Sequence, residues 1–330
     1  MATKHRGGTA RVRRSPPQAG PGSRRAQAPP DSSPIVAGVR ISHPDRTIYP
    51  DLGISKIQLA RYYERIARWI VPHVAGRPLT LVHCPAGLAA PCNFMKHAKA
   101  WGPSALRRVR IQEKTKIGEY LVADSIEAVV SLAQMGIVEI HTWNSTVDDL
   151  ERPDRLVWDL DPGPDVSWQR VVKAAELVRD VLETLRLVSW VKTTGGRGLH
   201  VVVPLKPKRT VSECLDFSRA VSESIAATDP QSYTTAFAKA GRERQILIDY
   251  LRNNRTNTSV CAFSTRARPA ATVSMPLDWS DLREPPERWT LLTVPRQLER
   301  LRADPWKDYW RSPQTISKGA FAAVTRVPSR

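Results

Sequence analysis

Residues 156–164 read LVWDLDPGP. Leu156–Asp161 is a short run of apolar, aromatic and β-branched residues that Pro162-Gly163-Pro164 brings to a stop, which predicts a strand. In a strand, residues two apart face the same way, so Asp159 and Asp161 share one face and Trp158 and Leu160 the other. Downstream, Ser167 is placed to cap a helix whose inward stripe is Val171, Ala175, Val178, Leu182 and Leu185. Leu187–Lys192 reads as the next strand, which completes a β-α-β unit. A glycine-rich turn over 193–198 leads into a strand, Leu199–Leu205. A helix near Ser212–Ala227 and a strand over Gln245–Leu251 follow. Strands and helices mix without strict alternation, so a mixed α/β sheet is expected rather than a doubly wound parallel one.

Upstream, Ser55 precedes a helix predicted from Lys56 to about Val74. Its stripe is Leu59, Tyr63, Ile66, Ile70 and Val74, and Gly76 and Pro78 stop it. Leu79–His83 and Ile137–Thr142 read as strands. Asp124-x-x-Glu127 resembles a capping box and predicts a helix through Leu132 that ends at Gly136. Residues 1–34 hold seven Lys or Arg, one acid, six Pro and four Gly. Such a segment buries too little apolar surface to order itself, so a disordered basic tail over 1–34 and one domain over 35–330 are expected.

The chain has 330 residues, enough to fold without staples. No apolar run approaches the roughly 18 residues of a membrane span, and the N-terminus has no signal-peptide core, so membrane and secreted classes are not expected. Cys84, Cys92, Cys214 and Cys261 form no C-x-x-C pair, and His83 and His97 beside the first two fit no common zinc spacing. Four free thiols, mostly buried, are the expectation. Lys and Arg number 50 against 32 Asp and Glu, a formal charge of +18. That excess favours a polyanion partner, nucleic acid above all.

Three places carry chemistry. The paired carboxylates of Asp159 and Asp161 repel unless a cation neutralises them, and a hard divalent ion with oxygen ligands does so. Two solvated acids before a turn are the alternative. Thr193–His200 reads TTGGRGLH. Successive glycines let backbone N–H groups approach an anion, Thr194 adds a hydroxyl and Arg197 a charge, although neither the P-loop nor the dinucleotide pattern is met. Asp249 stands alone in the apolar run 246–251, where it needs a metal or an ion pair, and Arg244, Arg252 and Arg255 flank it. Acids, a glycine-rich basic turn and the guanidiniums of Arg266 and Arg268 together suggest nucleotidyl transfer.

The strings ERPDRLVWDLDPGP (151–164), KTTGGRGLHVVVPL (192–205), IDYLRNNR (248–255) and STRARPAATVSMPLDW (264–279) resemble the polymerase domain of bacterial DNA ligase D, in the archaeo-eukaryotic primase superfamily. HPDRTIYPDLGISK (43–56), CNFMKHA (92–98) and GIVEIHTWN (136–144) also resemble it, in order and at the family's spacing. The resemblance implies a primase-polymerase fold with an RRM-like mixed-sheet core and an additional packed α/β subdomain. It implies that Asp159, Asp161 and Asp249 hold two divalent ions, Mn²⁺ or Mg²⁺, and that His141 is needed for polymerisation. Thr194, Arg197, His200 and Arg266 would hold the triphosphate of an NTP or dNTP. Phe94 would stack on nucleotide or template, where Asn93 replaces a second aromatic ring. Arg46 and Lys56 would recognise the 5′-phosphate of a DNA break.

The implied activity is template-directed gap filling and nucleotide addition at 5′-phosphorylated breaks in non-homologous end joining, with ribonucleotides preferred. Implied partners are double-stranded DNA ends, gapped DNA, bacterial Ku and a separate ligase. The protein would act as a monomer in the cytoplasm, at the nucleoid. Lacking a K-x-D-G motif, the chain is expected to be a freestanding polymerase. The alternatives are a replicative or plasmid primase of the same superfamily, an end-binding scaffold with weak catalysis, and a metal-dependent nuclease.

Overall fold

Two short hairpins open the described part of the chain: β1 (Ile35–Val36) with β2 (Val39–Arg40), and β3 (Thr47–Tyr49) with β4 (Ile54–Ser55). The computed structural model describes residues 32–100, 102–301 and 304–325. The tail expected over residues 1–34 lies outside these, except for its last three residues. The Ser55 N–H donates to Gln58 Oε1 at 2.7 Å and starts α1 (Lys56–Arg65). The helix expected to reach Val74 breaks at Ile66, and α2 (Ala67–Val74) continues beyond it. Leu59, Tyr63, Ile66, Ile70 and Val74 are all fully buried. The break therefore leaves the inward stripe in phase, and periodicity gives no sign of it.

The strands β5 (Leu79–His83) and β6 (Asn93–Met95) follow, then the hairpin of β7 (Arg107–Gln112) and β8 (Ile117–Val122). Helix α3 (Ile126–Gln134) is capped by Ser125, whose hydroxyl accepts from the Ala128 N–H, and not by Asp124. The Asp124 carboxylate instead accepts from the Gly76 N–H and from Arg107. Strand β9 is Ile137–Thr142, as expected.

The second half supplies the sheet that carries the acids. Its elements are β10 (Arg155–Pro162), α4 (Trp168–Thr184), β11 (Trp190–Thr193), β12 (Leu199–Pro204), α5 (Val211–Thr228), β13 (Tyr233–Thr234), β14 (Ile246–Asp249), β15 (Ser259–Val260) and β16 (Pro276–Leu277). Helices α6 (Val294–Arg300) and α7 (Lys318–Thr325) are the last helices among the described residues. The six-stranded sheet runs β13-β14-β10-β12-β11-β16. Its four central strands have the order of a β-α-β-β-α-β ferredoxin-like core, the arrangement of an RRM. The expected β-α-β unit is therefore split, because β12 lies between β10 and β11 and is antiparallel to both. The strand expected from Leu187 starts only at Trp190. Arg186 adopts a positive φ, and the Leu187 N–H still caps α4 through the Leu182 carbonyl.

One face of this sheet is apolar. Leu156, Trp158, Leu160, Leu199, Val201 and Val203 are fully buried in a single core with the inward stripe of α4. The opposite face alternates in register: Val157 and Val202 pack with Trp306 and Tyr309, while the acids occupy its other end. A second sheet, β15-β9-β5-β6, shares the continuous core with α1, α2 and α3 and forms the additional α/β layer. The mixed α/β class read from the sequence is the fold observed. No helix among the described residues is long and apolar enough to cross a membrane.

The cysteine expectation is corrected in part. Cys214 and Cys261 are free and buried, but Cys84 and Cys92 form a disulfide with Cα atoms 4.4 Å apart. His83 pairs with Asn93 across β5 and β6, so Cys84 and Cys92 occupy the next facing positions. Pairing of the strands, and not a spacing motif, brings the thiols together. Reduction is expected to destabilise the protein by about 2–3 kcal/mol through the freed loop. Urea unfolding with and without a dithiol reductant measures this, and an unchanged midpoint would contradict it.

Candidate active site

Period-two alternation and strand register place four ionisable residues in one row. Asp249 faces Asp159 across β14 and β10, Asp159 faces His200 across β10 and β12, and His200 faces Lys192 across β12 and β11. Facing side chains in antiparallel strands lie within roughly 5 Å at Cβ, close enough to interact directly. His200 Nε2 stands 3.3 Å from Asp159 Oδ1. Asp161, two residues along on the same face, is more exposed and takes Arg242 at 2.9 Å.

Strand β14 was expected to reach Leu251 but ends at Asp249. Tyr250 turns into the helical region and a single 3₁₀ turn, Leu251–Asn253, folds the chain back. This turn brings Arg252 beneath both acids, with Nε 2.9 Å from Asp159 and 3.0 Å from Asp249. Of the three arginines that flank Asp249, the geometry selects this one.

The electrostatics follow from burial and from the row. Burial opposes charge on Asp159, but His200 and Arg252 outweigh it and hold the carboxyl well below its usual range. Asp249 is raised to about 6, by burial first and with the Asp159 charge adding to it. Burial and then the Lys192 charge lower His200 to about 4. Two facing carboxylates of which one resists ionisation are short of positive charge, and carboxylate oxygens suit a hard divalent cation. The donor set therefore fits a divalent ion, with Arg252 and Arg242 now supplying the neutralising charge. Among the described residues no group of three or more His, Cys, Asp or Glu side chains is already gathered as a ligand set.

The turn after β11 forms the next wall. Its shape depends on glycine: Gly195 has φ +65°, and a Cβ at Gly198 would overlap the Leu160 carbonyl oxygen. The Thr194 hydroxyl accepts from the Gly196 N–H at 3.1 Å and donates to the Gly198 carbonyl at 3.2 Å, so it orders the turn itself. Arg197 donates through Nη2 to the carbonyls of Pro164 (2.8 Å) and Val166 (3.0 Å), which ties the turn to the loop after β10.

The second sheet supplies the opposite wall. His141 faces both Thr80 and Val260, and Glu139 lies two residues away on the same face. Glu139 accepts from His141 Nε2 at 2.8 Å and the Ala267 N–H at 2.8 Å, and stands 3.0 Å from Arg266 Nε. Burial alone would raise Glu139, but the His141 bond and the Arg266 charge reverse this and hold it at about 2. Arg266 also donates to the Thr194 carbonyl, and the Tyr49 hydroxyl donates to the Arg266 carbonyl at 3.0 Å. Phe94 is 68 % exposed, with its ring 5.8 Å from that of His141.

These walls enclose a pocket of about 240 Å³. Asp159, Asp161, His200, Arg252, Arg266 and Arg268 line it, together with His141 and the turn at 194–198. Asp249 is not itself a lining residue and is connected to the pocket through its facing partner Asp159 and their shared Arg252. Phe94, Arg46 and Lys56 are not among the lining residues. Lys56 is nonetheless buried, its backbone N–H donates to the Arg46 carbonyl at 2.8 Å and its Nζ to the Ser42 carbonyl at 2.7 Å. Arg46 Nη1 donates to the Pro85 carbonyl at 2.8 Å. Burial, and then the Arg46 charge, lower Lys56 to about 8.

Glu139, Lys192 and Arg242 were not singled out in the sequence. Glu139 carried a signal, since it shares a strand face with His141. Lys192 becomes visible only once β11 is paired in register with β12, and Arg242 only through its contact with Asp161.

Comparison with known proteins follows the same sites. Residues 55–306 match the family model described as LigD, primase-polymerase domain. The multifunctional non-homologous end joining protein LigD of Pseudomonas aeruginosa is 38 % identical over 301 residues, covering 90 % of this chain and 36 % of that protein. The bifunctional non-homologous end joining protein LigD of Bacillus subtilis is 24 % identical over 292 residues, 88 % of this chain and 47 % of that one. The chain thus spans between about a third and a half of the length of these relatives. The polymerase domain from Mycobacterium tuberculosis ligase D, solved in complex with DNA, superposes with a TM-score of 0.77 at 26 % identity, covering 83 % of this chain and 99 % of that one.

Proposed function

The chain belongs to the LigD primase-polymerase domain family, and on that footing we propose that it is a template-directed nucleotidyltransferase acting at DNA breaks. The observation that carries the reading is the row Asp249–Asp159–His200 opening on a pocket rimmed by Arg252, Arg266 and Arg268. Carboxylates beside a dense guanidinium cluster suit a reaction that handles a metal-bound polyphosphate. A nuclease would need the acids but not the glycine-rich basic wall.

Asp159, Asp161 and Asp249 would hold the divalent ions, Mn²⁺ or Mg²⁺. When bound, such ions align the attacking hydroxyl and neutralise the leaving pyrophosphate. Arg266 and Arg268 would grip the triphosphate of an NTP or dNTP, with ribonucleotides preferred. Thr194 and Arg197 would act by holding the shape of the turn that walls the site, Thr194 through the Gly196 N–H and the Gly198 carbonyl and Arg197 through the Pro164 and Val166 carbonyls. His200 would contact the triphosphate from the sheet, and His141, oriented by Glu139, would serve polymerisation from the opposite wall. Phe94 would supply a stacking surface for nucleotide or template, without the second ring that Asn93 replaces; one base stack contributes roughly 1–3 kcal/mol. In the reaction the primer 3′-hydroxyl gives up its proton to water, its oxygen bonds to the α-phosphorus as the bond to the oxygen bridging to the β-phosphate breaks, and pyrophosphate leaves. Residues 35–330 would form this domain as a monomer. In cells it would serve end joining with Ku and a separate ligase.

Incubation with a gapped 5′-phosphorylated duplex, Mn²⁺ and labelled NTP or dNTP tests the reading. Primer extension supports it, and strand degradation would favour the nuclease. Break recognition has its own test. Arg46 and Lys56 stand together at the start of α1, whose first backbone N–H groups are already held by the Arg46 and Pro44 carbonyls, so a phosphate there would be gripped by the two side-chain cations. The Arg46→Ala, Lys56→Ala double variant is expected to lose the preference for a gapped duplex with a downstream 5′-phosphate, by about tenfold. Its salt-sensitive general affinity should persist. Binding to phosphorylated and unphosphorylated gaps compares the two, and a variant that discriminates as well as wild type contradicts the assignment.

A further inference from the structure

Lys192 ends the row of ionisable residues, yet it does not line the pocket. It is 4 % exposed. Its ammonium donates to the Val260 carbonyl at 2.9 Å and to Ser274 Oγ at 2.6 Å, and Ser274 Oγ donates in turn to the Thr193 carbonyl at 2.8 Å. These partners are uncharged. Removing an ammonium from water for two neutral acceptors is unfavourable, and burial accordingly lowers Lys192 to about 7. An apolar side chain of the same length would fill this space without that cost, so packing alone does not account for a lysine.

What the lysine joins is specific. Its strand, β11, runs directly into the turn at 194–198, which forms one wall of the pocket. Val260 lies in β15, faces His141 in register, and lines the other wall beside Thr258 and Ser259. Arg266 also ties the walls, bonding the Thr194 carbonyl on one side and pairing with Glu139 on the other from within the pocket. That tie would loosen whenever Arg266 turned to a ligand. The Lys192 tie lies beneath the floor, where a ligand in the pocket does not compete for it.

We propose that Lys192 is a positioning residue whose ammonium pins the strand leading into the glycine-rich turn to the strand of the opposite wall, and so fixes the spacing across which a nucleoside triphosphate is held. The inference rests on the reading of this pocket as the nucleotide site. A strand released from its partner widens the site before any chemistry occurs, so the loss falls on nucleotide binding.

The test is steady-state nucleotide addition on a gapped duplex, together with thermal unfolding, for wild type, Lys192→Met and Ser274→Ala. Lys192→Met keeps the volume and removes the donors. Its nucleotide KM is expected to rise by about tenfold or more, the worth of one or two charge-assisted hydrogen bonds, while its thermal midpoint stays level or rises. Ser274→Ala should raise KM by a smaller factor at a near-constant midpoint. A residue that served stability alone would instead lower the midpoint and reduce kcat through a smaller folded fraction, with KM unchanged. That pattern, or wild-type KM in a folded Lys192→Met, overturns the proposal. If Lys192→Met does not fold, Ser274→Ala decides, and wild-type KM there overturns it. Absence of nucleotide addition by wild type would overturn the nucleotide-site reading itself, a failure distinct from that of Lys192.

Discussion

Asp159→Ala is expected to lower nucleotide addition by at least about 10³-fold, equivalent to roughly 4 kcal/mol of transition-state stabilisation. Asp159 is the centre of the row: it faces Asp249 on one side and His200 on the other, and takes Arg252 as a third partner. Its removal takes away one of the two facing carboxylates and leaves Asp249 as the carboxylate partner of Arg252. Asp161→Ala should have the same direction of effect, since it removes the exposed carboxylate now held by Arg242. Neither change touches the wider basic surface, so affinity for duplex DNA should remain. Addition assays paired with DNA binding and thermal unfolding distinguish the outcomes. Catalysis that survives either change contradicts the site assignment.

Arg266→Ala is expected to reduce kcat/KM for the nucleotide by about 10- to 100-fold, the range for a hydrogen bond to a charged group. Both KM and kcat should change, because a guanidinium on a triphosphate acts in the ground state and in the transition state. The variant also leaves Glu139 without its nearest cation, although the His141 bond and the Ala267 N–H remain. Part of the damage should therefore appear as lost stability, and unfolding must be measured beside the kinetics. Unchanged nucleotide kinetics would remove Arg266 from the triphosphate site.

Much of this site was legible in the sequence because strands obey a two-residue period. LVWDLDPGP alone gave a strand with one acidic and one apolar face, and both faces are found as read. The glycines at 195–198 marked a turn, read as one that lets backbone N–H groups approach an anion, and the structure adds a steric need for glycine at 195 and 198. Legibility failed where the exact register of paired strands decides the outcome. Register brings Lys192 beside His200, and the chain separation between them carries no sign of it. Pairing of β5 with β6 creates the Cys84–Cys92 disulfide without a motif. The 3₁₀ turn after Asp249 was hidden because Tyr250 and Leu251 prolong an apolar run that reads as strand. Helix α1 broke unseen because the buried stripe kept its phase across Ile66.

The most direct measurement is single-nucleotide gap filling with purified protein, a downstream 5′-phosphate, Mn²⁺ and all four NTPs in competition, repeated for each templating base. The proposed reading predicts extension of the primer by the complementary ribonucleotide in each case, abolished by Asp159→Ala. No extension, extension indifferent to the templating base, or degradation of the strand would contradict it.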